Sequence, residues 1–143
     1  MEADKARIVG RLSVAYMMAI AGEVLRNIPI DLLDLLLVTT VANFNALPPD
    51  ERPGRRGANR VDSGKIGISR NALSRAVSVP LDTVRRRVAG LIERKVLVEQ
   101  ADGLVFSTDN PLGLGNNTAL TAFNIQMLRR LFQGLKEQGI DLG

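Results

Sequence analysis

Three arginines stand in a row at Arg85-Arg86-Arg87, and nine more basic residues surround them between Arg52 and Lys95. Over that stretch 12 basic residues stand against 3 acidic ones, a net of +9; the other 7 basic and 12 acidic residues carry −5, and the whole chain is +4. Arginine supplies 15 of the 19 positive charges. Its planar fork donates two hydrogen bonds side by side, which suits phosphate oxygens and guanine edges better than a point charge does. A basic middle between acidic ends is the electrostatic footprint of a polyanion binder.

The residue types that are missing narrow the chemistry further. The 143 residues contain no His, no Cys and no Trp. That excludes a disulfide framework, a thiolate-ligated zinc, a thiol nucleophile and any imidazole base. Ser63-Gly64-Lys65 is a fragment of a phosphate loop, but the glycine spacing of that motif is absent. No enzyme, metal or cofactor is expected. The first residues hold early acids and lack the form of a signal peptide, and the apolar run Leu12–Gly22 is too short to span a bilayer. The expectation is a soluble cytoplasmic protein without a membrane partner.

The elements that must position the arginines follow from periodicity. The length suggests a single domain over residues 1–143. Ile8, Leu12, Ala15, Tyr16, Ala19 and Ile20 recur at helical spacing, which predicts a helix over 4–27, with Met17 and Met18 widening its apolar face. Pro29 opens a second helix, with Asp31 and Asp34 suited to its N-terminal dipole. Leu32 to Val41 is apolar nearly all round, so this helix should be central, and Pro48-Pro49 ends it. Residues 48–67 read as an irregular basic loop. Ile66 and Ile68 suit a short strand, and Ser69 caps the next helix. That helix buries Leu73, Ala76 and Val77; Ser78-Val79-Pro80 breaks it. Leu81–Lys95 resumes helical spacing at Val84, Val88, Leu91 and Ile92. Val96–Gln100 and Leu104–Ser107 read as strands around a turn at Asp102-Gly103. A last helix over 118–138 carries an apolar stripe.

This order of elements resembles a winged helix-turn-helix. The segment ISRNALSRAVSVPLDTVRRRVAGLIERKVLVEQADGLVFS is similar to that module in bacterial one-component repressors, of which the MarR, GntR and IclR families are the general comparisons. The resemblance covers 30–107 and its specific part is 68–107. It implies a mainly α fold with a small β-hairpin wing (α+β), flanked by N- and C-terminal helices. It also implies a transcription regulator, repressor-like, that binds double-stranded DNA with the helix at about 81–95 in the major groove. Residues near that helix's N-terminus meet base edges, and here they are Leu81, Asp82, Thr83, Arg85 and Arg86. Arg85 and Arg86 are the expected guanine or phosphate contacts, and Thr83 a phosphate donor. Asp82 accepts from cytosine or steadies the helix start. Arg70, Arg75 and Arg87 are expected on flanking phosphates. Arg55, Arg56 and Arg60 form a candidate DNA-binding arm.

Such readers commonly bind two half-sites as symmetric dimers. Leu12, Tyr16, Ile20, Leu120, Phe123, Met127, Leu131 and Leu135 are the expected dimerisation residues. A small-molecule effector fits this plan, although no polar constellation specifies one. Two departures stand out: Pro80 replaces a capping hydroxyl, and the wing tip Gln100-Ala101-Asp102-Gly103 lacks Lys and Arg. They favour an alternative, a winged-helix interaction or scaffold module that does not bind DNA. RNA binding is disfavoured because the few aromatics lie mostly on apolar faces.

Overall fold

A computed structural model describes residues 2–47 and 65–143. Those residues are mainly helical, with one small antiparallel hairpin. They form two compact units, Ile30–Leu114 and a second made of Met1–Pro29 with Gly115–Gly143.

In the first unit, α2 (Leu32–Asn45) is the centre. Asp31 caps it by accepting from the Asp34 N–H at 2.8 Å, so Pro29 lies before the helix rather than in its first turn. Leu37, Val38 and Val41 are buried, and α2 packs against α3 (Arg70–Val77), α4 (Leu81–Glu93) and β2 (Gly103–Phe106). Leu32 and Leu36, one turn apart, are exposed, so the helix is not enclosed all round as its composition suggests. Ser69 caps α3 by accepting from the Ala72 N–H at 3.1 Å. Leu73 is fully buried and Val77 half-buried, but Ala76 is exposed; the α3 core face is narrower than expected because the helix has only eight residues. Val84, Val88 and Leu91 place α4 on the core.

β1 (Leu97–Gln100) pairs with β2 in the register Leu97↔Phe106 to Gln100↔Gly103. The two-residue turn is therefore Ala101-Asp102, and Gly103 is already in the strand. The physical reason is crowding. Ile68 bridges Leu104 as an isolated antiparallel pair, with Ile68 N–H donating to Leu104 O at 3.0 Å and Leu104 N–H to Ile68 O at 2.8 Å. A Cβ on Gly103, at φ +135°, would lie 2.6 Å from the Ile68 carbonyl. One on Gly67 would lie 2.7 Å from the Gly103 carbonyl carbon. Both glycines let the backbones meet, and the expected strand at Ile66–Ile68 shrinks to a bridge.

The second unit pairs α1 (Ala3–Asn27) with α5 (Thr118–Glu137), whose N-cap Asn117 accepts from the Leu120 N–H at 3.1 Å. Leu12 lies against Gly134 and the Tyr16 hydroxyl donates to Asn124, so the helices run antiparallel. α1 is longer than the run Leu12–Gly22 suggests. It has 25 residues and a window of mean hydropathy 1.5, which makes it long and apolar enough to cross a bilayer by length and composition.

Gly90 provides a stability test. It lies inside α4, and a Cβ there meets nothing within 4 Å. Gly90→Ala should raise stability by about 0.5–1 kcal/mol, since alanine loses less backbone entropy in a helix. The urea midpoint would move up; an unchanged or lower midpoint would contradict the open geometry.

Candidate nucleic-acid interface

α3, a tight turn and α4 carry the exposed arginines Arg75, Arg85 and Arg86. α3 ends because Ser78 turns left-handed (φ 55°, ψ 44°), its N–H donating to Ser74 O. The Ser74 hydroxyl donates to Val79 O at 2.5 Å and the Val79 N–H to Ser74 O at 3.2 Å. Pro80 then starts α4 with a preset φ of −53° and no side-chain cap. The capping hydroxyl that the resemblance leads one to look for is absent in the geometry too.

With Val84, Val88 and Leu91 turned inward, the 3.6-residue period puts Asp82, Arg85, Arg86, Ala89 and Glu93 outward, and all five are exposed. Leu81 and Thr83 are half-buried at its edge. Arg85 reaches Asp82 only at 4.0 Å, and its side chain is 61% exposed, so the pair leaves the guanidinium largely solvated. Arg86, and Arg75 on α3, are exposed and make no ion pair with any described residue.

The other two arginines expected on phosphates are held within the unit. Arg70 donates to Glu99 on β1. Arg87 turns to the start of α2, where it donates to Asp31 and lies 3.5 Å from Asp34. This cluster shifts its members in opposite directions. The Asp34 N–H, and then Arg87, hold the Asp31 carboxyl below the usual range. Burial, and then the charge of Asp31, push Asp34 up despite Arg87 and Arg94. The hydrogen bond to Asp31 raises Arg87 further. Arg87 therefore ties α4 to α2. Arg55, Arg56 and Arg60, with most of the loop 48–67, lie outside the described residues.

The hairpin tip takes a different role from a basic one. Asp102 turns back to accept the Gly67 N–H at 2.9 Å. Two buried asparagines, which carry no sequence signal of their own, hold the frame. Asn45 donates to Ile66 O at 2.6 Å and Leu104 O at 3.2 Å, and accepts the Phe106 N–H at 2.8 Å. Asn110 ties Ser107 to Leu114. Polar residues at the ends of apolar segments are the only hint, and it is shared by many exposed ones.

The residues expected to form a dimer interface are distributed differently from that plan. Met127 and Leu135 are buried, and Leu12, Tyr16, Ile20, Leu120, Phe123 and Leu131 are half-buried. Leu12, Tyr16, Met127 and Leu131 line a cleft of about 270 Å³ between α1 and α5, with Arg130 at its side. Among the described residues no cluster of three acidic groups could hold a metal ion. Compared with protein-family models, with characterised proteins and with solved structures, the chain matches none.

Proposed function

We propose that residues 30–107 are a winged helix-turn-helix, and that the protein is a cytoplasmic transcription regulator binding double-stranded DNA as a homodimer. The observation that carries this reading is the outward pair Arg85 and Arg86 on α4, with Arg75 on the preceding helix and an apolar core fixing the opposite face. A helix of this kind fits the major groove, where a bidentate arginine reads guanine. Arg86 and Arg85 take the base edges or the nearest phosphates, Arg75 a flanking phosphate, and Thr83 the groove wall. Arg70 and Arg87 serve the fold through their carboxylate partners. The hairpin tip, with Asp102 turned inward, makes no phosphate contact.

The test is binding to pooled genomic duplex fragments across a salt series, with Arg85→Ala/Arg86→Ala as the comparison. Wild type should enrich a two-fold site. The double variant should lose at least about 30-fold in affinity, and its salt slope should fall by about two. Equal binding by both proteins would refute the assigned arginines. A second reading, an interaction module without DNA binding, draws on the exposed apolar pair Leu32 and Leu36 in the same unit. Absence of binding at low salt would move the assignment there.

A further inference from the structure

α1 is apolar on two opposite faces, and α5 occupies only one. Leu12, Tyr16 and Ala19 turn toward Met127 and Leu131. On the far side Val14, Met17, Met18 and Leu25 are 50%, 52%, 62% and 38% exposed. At 100° per residue, Gly10, Val14, Met17, Met18, Ala21 and Leu25 fall within one arc of about 100°. Their exposed apolar surface is on the order of 400 Å², the size of the largest patch on a typical monomer, which is often a functional one.

We infer that this stripe pairs with the same stripe of a second copy of the chain, antiparallel and about a two-fold axis between Met17 and Met18. The inference deepens the homodimer of the proposed function by naming its interface, and does not use the DNA-binding part of that reading.

The stripe is self-complementary in that arrangement. Gly10 faces Leu25 of the other copy, Val14 faces Ala21, and Met17 faces Met18, so each large side chain meets a small or a flexible one. A two-fold interface requires this reciprocity, because residue i touches j wherever j touches i. A Cβ at Gly10 meets nothing within 4 Å, so that position is open to receive Leu25. Charge selects the direction. Arg7 and Arg11 continue the stripe at the N-terminal end, and antiparallel pairing lays them over the other copy's helix C-terminus, where the dipole is negative. Parallel pairing would set Arg11 against Arg11. The patch supplies about half of the roughly 800 Å² per partner of a standard interface, and the backbone of Gly10 and the stems of Arg7 and Arg11 extend it.

A bilayer is the competing occupant for so apolar a helix. Spanning would carry α5 with it, and α5 holds exposed Arg129, Arg130, Lys136 and Glu137. Their desolvation opposes it.

The chain has no cysteine, so introduced ones report contacts without background. Light scattering of the full chain should give twice 15.5 kDa. Met17→Glu/Met18→Glu should return it to the monomer mass with an unchanged helical spectrum, since both positions are exposed. Met18→Cys should form a disulfide-linked dimer on oxidation, and so should Val14→Cys/Ala21→Cys. Val14→Cys alone should not, because the two copies of residue 14 lie about 10 Å apart along the axis, beyond disulfide reach. A monomeric wild type, cross-linking of the single Val14→Cys variant, or a wild type that is monomeric in buffer and cosediments with phosphatidylcholine–phosphatidylglycerol vesicles would each overturn the inference. A monomer that still enriches a DNA site would refute this interface and the homodimer, and would leave the DNA reading standing. A dimer that binds no DNA would refute the DNA reading alone.

Discussion

Asn45→Ala is expected to destabilise the 30–114 unit by about 2–4 kcal/mol, because it takes the side-chain partner from Ile66 O and Phe106 N–H, and such groups each cost about 1–3 kcal/mol when buried unpaired, while Leu104 O keeps its bond from the Ile68 N–H. The asparagine amide donates to Ile66 O and Leu104 O, and its carbonyl accepts from Phe106 N–H. The residue is 5% exposed, so water does not replace those bonds readily. One side chain thereby joins the end of α2, the bridge segment and β2. Asn45→Asp separates the two halves of the network. It keeps the acceptor for Phe106 but puts a carboxylate against two carbonyl oxygens. Its pKa should be raised above the unfolded value near 3.9. A raised acid pKa means that the folded state prefers the protonated form. The deficit of Asn45→Asp relative to wild type should then shrink as pH falls through the folded-state pKa, as protonation restores one donor. Urea unfolding followed at pH 7 and pH 4 would check both statements. A loss below 1 kcal/mol for Asn45→Ala would show that the network is dispensable.

Gly103→Ala should cost about 3 kcal/mol or more, since strain at a left-handed position alone costs roughly 1–3 kcal/mol and the new methyl also meets backbone. The added Cβ lies 2.6 Å from the carbonyl carbon and oxygen of Ile68, and φ there is +135°. Neither contact is a side-chain end that can swing away. The expected result is loss of the Ile68–Leu104 bridge, with faster exchange of both amide hydrogens, and a melting midpoint lower by roughly 10 °C. Gly90→Ala is the matched control. The same chemical change, made where a Cβ meets nothing, should act in the opposite direction. If both variants melted together, the crowding at the bridge would not be what decides residue 103.

Local rules made much of the architecture legible. Ser69 was legible as a cap and accepts from the Ala72 N–H, and the break at Ser78-Val79-Pro80 separates α3 from α4, whereas the caps Asp31 and Asn117 emerged only with the structure. Periodicity sorted α4 into Val84, Val88 and Leu91 inside and Arg85 and Arg86 outside. These features depend on neighbours three or four residues apart, and a sequence displays such neighbours directly. The hairpin was legible as a pair of strands but not to the residue, because its register depends on Ile68, more than thirty residues upstream.

What needs a tertiary partner could not be read in the chain alone. Arg70, Arg85, Arg86 and Arg87 look alike in sequence, yet Arg70 is held by Glu99 and Arg87 by Asp31 and Asp34, while Arg86 stays exposed. Separations of 29 and 56 residues lie behind those pairs. The apolar surface of α1 showed the same limit. Its composition announced a wide hydrophobic helix, but only the docking of α5 showed which side was taken and which was left. By itself the sequence determined where helices begin, which residue types were available for chemistry, and that positive charge gathers in the middle of the chain. Those properties are local or additive. The tertiary structure decided which arginines remain available and which apolar face remains open, because both depend on groups that only folding brings within a few ångströms.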